Sequence, residues 1–210
     1  MDARSLVNKM LSEIEQIRTM KFTLKSWERI DGETIYSEVD GKLQEKPVRK
    51  MYLLSKADPN EGVEVLWVEG ERDGKAYVNP NKWLIPSLKL DPAGGRMRND
   101  QHHTIWSSGF GMLHGIVSEA VQRVDTEAPG QFEEVFQLKG SATYLGRQCY
   151  KLEIVDPTFT YKSYTVKPGE NAVTLENDKN ICAYLIVEHN DHIKGFDDIE
   201  PGVTLKIPTS

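Results

Sequence analysis

At 210 residues the chain holds one large domain, or one medium domain with a small one beside it. With 39% hydrophobic and 28% charged residues it is built for a packed core rather than for disorder. The formal net charge of -6, with no run of five like charges, excludes the basic face that a nucleic-acid binder needs.

The charge is unevenly spread. Residues 164–210 carry four Lys against eight Asp or Glu, a net of -4, which leaves 22 minus 24, or -2, for the remainder. No apolar run has the length to cross a bilayer, and the N-terminus has no signal-peptide apolar core. That pattern fits either a cytoplasmic protein or a mature form whose export signal has been removed. Cys149 and Cys182 are too few for a disulfide framework and lack metal-ligand spacing. They permit one bridge between segments in an oxidising compartment, or two buried free thiols.

In chain order, Leu6, Met10, Leu11, Ile14 and Ile17 recur at three- and four-residue spacing and predict a helix over 5–20. From Lys21 to Lys89 the period shortens to β-branched and aromatic runs divided by turn residues. Asp31-Gly32 and Asp73-Gly74 supply the positive φ angles of tight hairpin turns, and Asp58–Gly62 is a further turn before Val63–Val68. Residues 79–98 read as a loop punctuated by Pro80, Pro86, Pro92 and Gly94-Gly95.

Phe110, Leu113, Val117, Ala120, Val121 and Val124 then line one side of a second helix, over about 108–124. Gly109, Gly111 and Gly115 weaken its first half by up to about 1 kcal/mol each relative to Ala. Three strands follow, over 132–138, 142–145 and 149–155, with turns at Lys139-Gly140 and Gly146-Arg147. The expected fold class is α+β, an antiparallel sheet with helices packed on one face. A helix laid over a curved sheet leaves room for an apolar cavity. Trp27, Tyr36, Leu43, Met51, Leu53, Trp67 and Trp83 are the candidates to line it; the alternative makes them ordinary core.

Gly41-Lys42-Leu43 with Lys46-Pro47, then Val63–Val68, Asp73-Gly74-Lys75 and Asn79-Pro80, resemble the pattern of periplasmic lipoprotein carriers. The run 75–83, with Leu90-Asp91-Pro92 and Gln101-His102-His103-Thr104, resembles more closely the bacterial domain family of unknown function numbered 1571. This resemblance implies a curved half-barrel over residues 1–160 with a concavity for acyl chains or a lipidated partner. Lys46 stands where the carriers place Arg, keeping the charge without the planar fork of donors.

Tyr164–Asn171, Asn190 and Ile199–Pro208 resemble, in order and spacing, a LysM domain. The resemblance implies a βααβ module over 161–210. Two short alternating strands, 164–166 and 204–207, flank two helix-length segments carrying Leu175 and then Ile181, Tyr184, Leu185 and Val187. It also implies a glycan groove at Gly169, Glu170, Asn171 and Ala172 with His192, Ile193 and Lys194, where backbone groups read the acetamido groups of N-acetylglucosamine chains such as peptidoglycan. Ala172 replaces a usual bulky apolar residue, and Glu176 a small one.

Candidate chemistry is sparse. His102-His103, near Asp91 and Asp100, invite a metal or acid–base reading, but alternate side chains on a strand point to opposite faces and no third spaced ligand accompanies them. Asp197, Asp198 and Glu200 read as solvated turn acids, and neither a GxSxG elbow nor a phosphate-binding loop occurs. The expectation is a non-enzymatic cell-envelope protein of the periplasm, without cofactor or metal. Its LysM-like tail would meet peptidoglycan, and its half-barrel would bind lipid or a lipoprotein. The alternatives are an envelope hydrolase using His102 or His103, and a structural assembly factor with a degenerate tail.

Overall fold

The computed structural model describes residues 1–30, 33–98, 101, 103–179, 181–195 and 199–209. The chain divides into two compact units, residues 1–29 with 34–155, and residues 30–33 with 156–210.

The first unit opens with α1 (Ala3–Glu15), whose N-terminus is capped by the Asp2 carboxylate accepting from the Ser5 N–H at 2.7 Å. A long meander follows: β1 (Thr19–Ile30), β2 (Glu33–Gln44), β3 (Lys50–Ser55), β4 (Glu64–Val68), β5 (Ala76–Asn79) and β6 (Leu88–Leu90). These six strands form one sheet in sequential order, antiparallel wherever the register is resolved: Leu43 faces Met51 across β2–β3, and Met51 faces Trp67 across β3–β4. After the one-turn helix α2 (Gly95–Arg98) come α3 (Gly111–Glu127) and the short α4 (Phe132–Val135). The unit ends in a separate two-stranded ribbon, β7 (Phe136–Tyr144) with β8 (Arg147–Ile154). The expected α+β class with an antiparallel sheet and several helices is what the chain forms, and the sheet is not a closed barrel.

Two apolar clusters hold this unit. Ala3 and Val7 of α1 pack with Val117 and Val124 of α3 and with Phe132, Val135 and Phe136. Arg4 closes over them, 3.9 Å above the Phe132 ring and paired to Asp125 at 2.7 Å. Against the sheet, Leu43, Met51, Trp67, Ala76 and Ile105 form the second cluster. Trp67 meets Trp106 edge to face at 6.0 Å, and its indole N–H donates to the Gly74 carbonyl at 3.0 Å.

Several local expectations change. The first helix stops at Glu15, because Ile17 and Met20 flank the start of β1 instead of continuing the turn. Asp73-Gly74 lies in a 3-10 turn, Arg72–Gly74, with all three residues at positive φ, inside a longer connection rather than a two-residue hairpin. Lys139-Gly140 is a bulge, not a turn: Leu138 faces Leu152 and Ser141 faces Tyr150, leaving two residues opposite Lys151. The turn that does close the ribbon is Leu145-Gly146, at φ 47° and 75°, the double positive φ of a tight hairpin. The Asp31-Gly32 turn lies outside the described residues.

The second unit carries β9 (Tyr161–Thr165), α5 (Ala172–Lys179), α6 (Ala183–Glu188) and β10 (Thr204–Pro208). β9 and β10 pair antiparallel, with Tyr164 facing Leu205 and Ser163 facing Lys206. Its core is its own: Val166, Ala172, Leu175, Ile181, Ala183, Ile186, Ile193, Ile199, Leu205 and Ile207 are all buried in one cluster. At about 1.5–3 kcal/mol for each fully buried large aliphatic side chain, this core drives the folding of so small a unit.

Candidate functional site

In the first unit the C-terminal end of α1, the segment after β2 and the start of α3 enclose an open groove of about 630 Å³. Its apolar wall is Ile14, Ile17, Met20, Trp106, Phe110 and Met112; its rim carries Glu15, Glu45, Lys46, Arg49 and His114. The local sequence explains the opening. Gly109 sits at φ +90° with Leu43 so close that a Cβ there would meet the Leu43 side chain at 2.5 Å, which glycine alone avoids. The chain enters α3 directly after this approach, without a side-chain cap, and the first turns of α3 leave Phe110, Met112, Leu113 and Ile116 exposed.

The rim side chains are held by backbone carbonyls and by one another. Lys46 Nζ donates to the Glu15 carbonyl at 3.1 Å, at the negative end of α1. Arg49 Nη2 donates to the Ser108 carbonyl at 3.2 Å, and its Nε lies 3.0 Å from Glu45. His114 Nε2 lies 3.2 Å from Glu15 Oε1, an ion pair when the imidazole is protonated. Ser118 Oγ stands 3.5 Å from His114 Nδ1, one turn further along α3. A paired rim over an apolar wall suits a ligand with an apolar body and a small polar end.

The seven predicted cavity residues do not assemble into one wall. Leu43, Met51 and Trp67 are buried in the sheet cluster with Leu53 packed against it. Leu43 and Met51 also border a smaller concavity of about 440 Å³, with Met20, Tyr52 and Leu66. Trp27 and Tyr36 pair across β1–β2, their rings 5.1 Å apart, with Trp27 largely exposed. Trp83 is 97% exposed. The groove residues Ile14, Ile17 and Phe110 were visible in the sequence only as faces of predicted helices, and nothing marked Trp106 or Met112.

In the second unit, the loop after β9 is built around its own side chains. Gly169 adopts φ +85°. The Glu170 carboxylate accepts from the Lys167 N–H at 2.8 Å and from the Tyr164 hydroxyl at 2.7 Å. Those donors hold the Glu170 carboxyl below its usual range, the Lys167 N–H foremost. The same contact raises the Tyr164 hydroxyl. Asn171 and Thr174 cap α5 reciprocally, at 2.8 and 2.9 Å. Ala172 and Ile193 are core residues, whereas His192 and Lys194 are exposed. Glu170 and Asn171 are committed internally, which leaves the backbone of this loop and the exposed Lys167 side chain to meet a ligand. Glu176 points its carboxylate at the Ala183 N–H, 3.3 Å away, at the start of α6.

Of the remaining candidates, His103 is exposed, and His102, Asp100, Asp197 and Asp198 lie outside the described residues. Among the described residues no three His, Cys, Asp or Glu converge as a metal site. Asp91 accepts from the Ala93 N–H at 2.9 Å and orders its own turn. Cys149 is exposed and Cys182 half-buried, both as free thiols, so the expectation that the two thiols are buried does not hold. No helix among the described residues is long and apolar enough to cross a membrane.

A family model described as Protein of unknown function (DUF1571) matches residues 17–171. The chain belongs to this family. The DUF1571 match takes in the whole six-stranded sheet, the groove-lining residues from Ile17 to His114, and β9 of the second unit. No curated protein and no solved structure matches the chain.

Proposed function

We propose that this DUF1571 protein is a non-catalytic cell-envelope binding protein. Its second unit acts as a LysM-like module on N-acetylglucosamine-containing glycan such as peptidoglycan. Its first unit acts as a carrier-like half-barrel whose groove takes an acyl chain or a lipidated partner. The observation that carries the reading is the β9–α5–α6–β10 unit closed around a private core. Within it the buried Asn190 ties the end of α6 to β10, at the position where the sequence resembles the LysM asparagine. Support for the first unit is the sequential antiparallel meander with α1 and α3 beside it, and the apolar groove between them.

The test is sedimentation of the full chain with insoluble peptidoglycan, followed by elution with soluble N-acetylglucosamine oligomers. Pelleting that the oligomers reverse is the expected result. A chain that stays in the supernatant overturns the glycan assignment and leaves the groove as the functional site.

A further inference from the structure

The connection between β5 and β6 presents three consecutive large apolar residues to solvent. Trp83 is 97% exposed, Leu84 82% and Ile85 42%. Trp83 and Leu84 occupy the two central positions of a turn closed by the Ile85 N–H donating to the Lys82 carbonyl at 3.0 Å, so they form its apex. The base is fixed rather than loose. Asn81 takes φ 52°, its N–H donates to Asn79 Oδ1 at 3.2 Å, and its Nδ2 reaches the Glu61 carbonyl at 3.5 Å. Asn79 in turn donates to Glu64 at 2.9 Å.

Charge around the apex has one sign. From Asn79 to Leu90 the segment holds Lys82 and Lys89, both exposed, and no acid, in a chain whose net charge is -6. Acids lie at the base of the connection: Glu61 and Glu64 beside Asn81 and Asn79, and Asp91 just after β6. An isolated exposed side chain needs no explanation, but an ordered apex of Trp, Leu and Ile between lysines does. Tryptophan favours the boundary between water and acyl chains, leucine and isoleucine favour the acyl region, and lysine favours anionic headgroups.

We propose that the connection between β5 and β6, flanked by Lys89 in β6, is a membrane-surface anchor. It inserts Trp83, Leu84 and Ile85 into the interfacial layer of an anionic bilayer while Lys82 and Lys89 meet the headgroups. Docking of this kind needs no membrane-spanning helix. It is independent of the glycan-binding assignment and adds a second surface to the same molecule.

The measurement is co-sedimentation of the full chain with phosphatidylglycerol-containing vesicles, beside pure phosphatidylcholine vesicles. Binding to the anionic vesicles is expected, with weaker binding to the neutral ones. Leu84→Asp should weaken it by roughly tenfold or more, since that side chain leaves an apolar layer. Lys82→Glu should weaken it only on the anionic vesicles and more at low salt. Both positions are exposed, so the variants should keep the wild-type circular dichroism spectrum and the wild-type behaviour toward peptidoglycan. No binding to either vesicle, or equal binding by Leu84→Asp, overturns the proposal and points to a protein partner for the loop.

Discussion

Asn190 pairs with Lys206 as one strand pairs with another. Its Oδ1 accepts the Lys206 N–H at 2.8 Å while its Nδ2 donates to the Lys206 carbonyl at 2.8 Å. A third bond runs from Nδ2 to the Ile186 carbonyl in the last turn of α6. Because Lys206 spends both backbone groups on Asn190, they point away from β9, and the outer edge of β10 is closed by a side chain.

Replacing Asn190 with Ala or Leu should therefore destabilise the second unit by about 2–4 kcal/mol, since three main-chain groups lose the partner that the buried Asn190 side chain supplies. Asn190→Asp should be almost as damaging, because the carboxylate accepts but cannot donate to the two carbonyls. Amide hydrogen exchange reads this locally: protection of the Lys206 N–H should collapse while that of the Met51 and Trp67 amides in the first unit stays. Unchanged protection at Lys206 would show that the pairing is incidental.

Glu170 gives the same unit a pH dependence. Its carboxyl is held below the usual range, first by the Lys167 N–H and then by the Tyr164 hydroxyl. A carboxylate whose folded pKa is lowered stabilises the fold at pH above its unfolded value and loses that contribution as pH falls through the folded one. Thermal midpoints should therefore drop as pH is lowered from about 5 to about 3. In Glu170→Gln that drop should shrink while the pH 7 midpoint falls toward the acid value. Parallel curves for the two proteins would remove Glu170 from the account.

Gly41 tests the packing of the first unit. It lies in β2, buried, and a Cβ built on it would meet the Phe22 ring at 2.2 Å, so the ring lies directly on the strand's backbone. Gly41→Ala should cost about 1–3 kcal/mol as an overpacked site. In a Phe22→Ala background the same substitution should become neutral or mildly stabilising, because glycine in a strand interior is otherwise a liability of about 0.5–1 kcal/mol. A double-mutant cycle by urea unfolding separates these. Additive effects would mean that the ring does not rest on Gly41.

These residues also show what the sequence could and could not convey. Local periodicity placed α1, α3 and most strands, and Asn190 was singled out by its resemblance to the LysM asparagine. Features decided by tertiary packing were not. Phe132–Val135 reads as a strand by composition, but it forms a helical turn because Phe132 and Phe136 must stack at 4.5 Å under Arg4. Lys139-Gly140 carries a turn signature, and only strand pairing on both sides of it makes it a bulge. Aromatic composition nominated Trp27, Trp67 and Trp83 alike; one is core, one is paired on the surface and one is fully exposed. Which aromatic lines a concavity depends on the layer that covers it, and periodicity does not carry that information.

The groove supplies the last prediction. Its outer wall is made by Phe110 and Met112, which are already 44% and 43% exposed, so a charge placed there should perturb folding little. The same charge would face any apolar ligand in the groove and require that contact to be given up. Titration of the full chain with a long-chain fluorescent fatty acid should saturate, and Phe110→Glu or Met112→Asp should weaken it by roughly tenfold or more. Substitution of Trp27, which is not among the residues lining the groove and stacks with Tyr36, should leave it unchanged. The contrast matters because sequence composition favours Trp27 and geometry favours Phe110. If Trp27→Ala weakens the probe and Phe110→Glu does not, the ligand sits on the β1–β2 aromatic pair instead, and the groove between α1 and α3 is a packing defect of a structural protein.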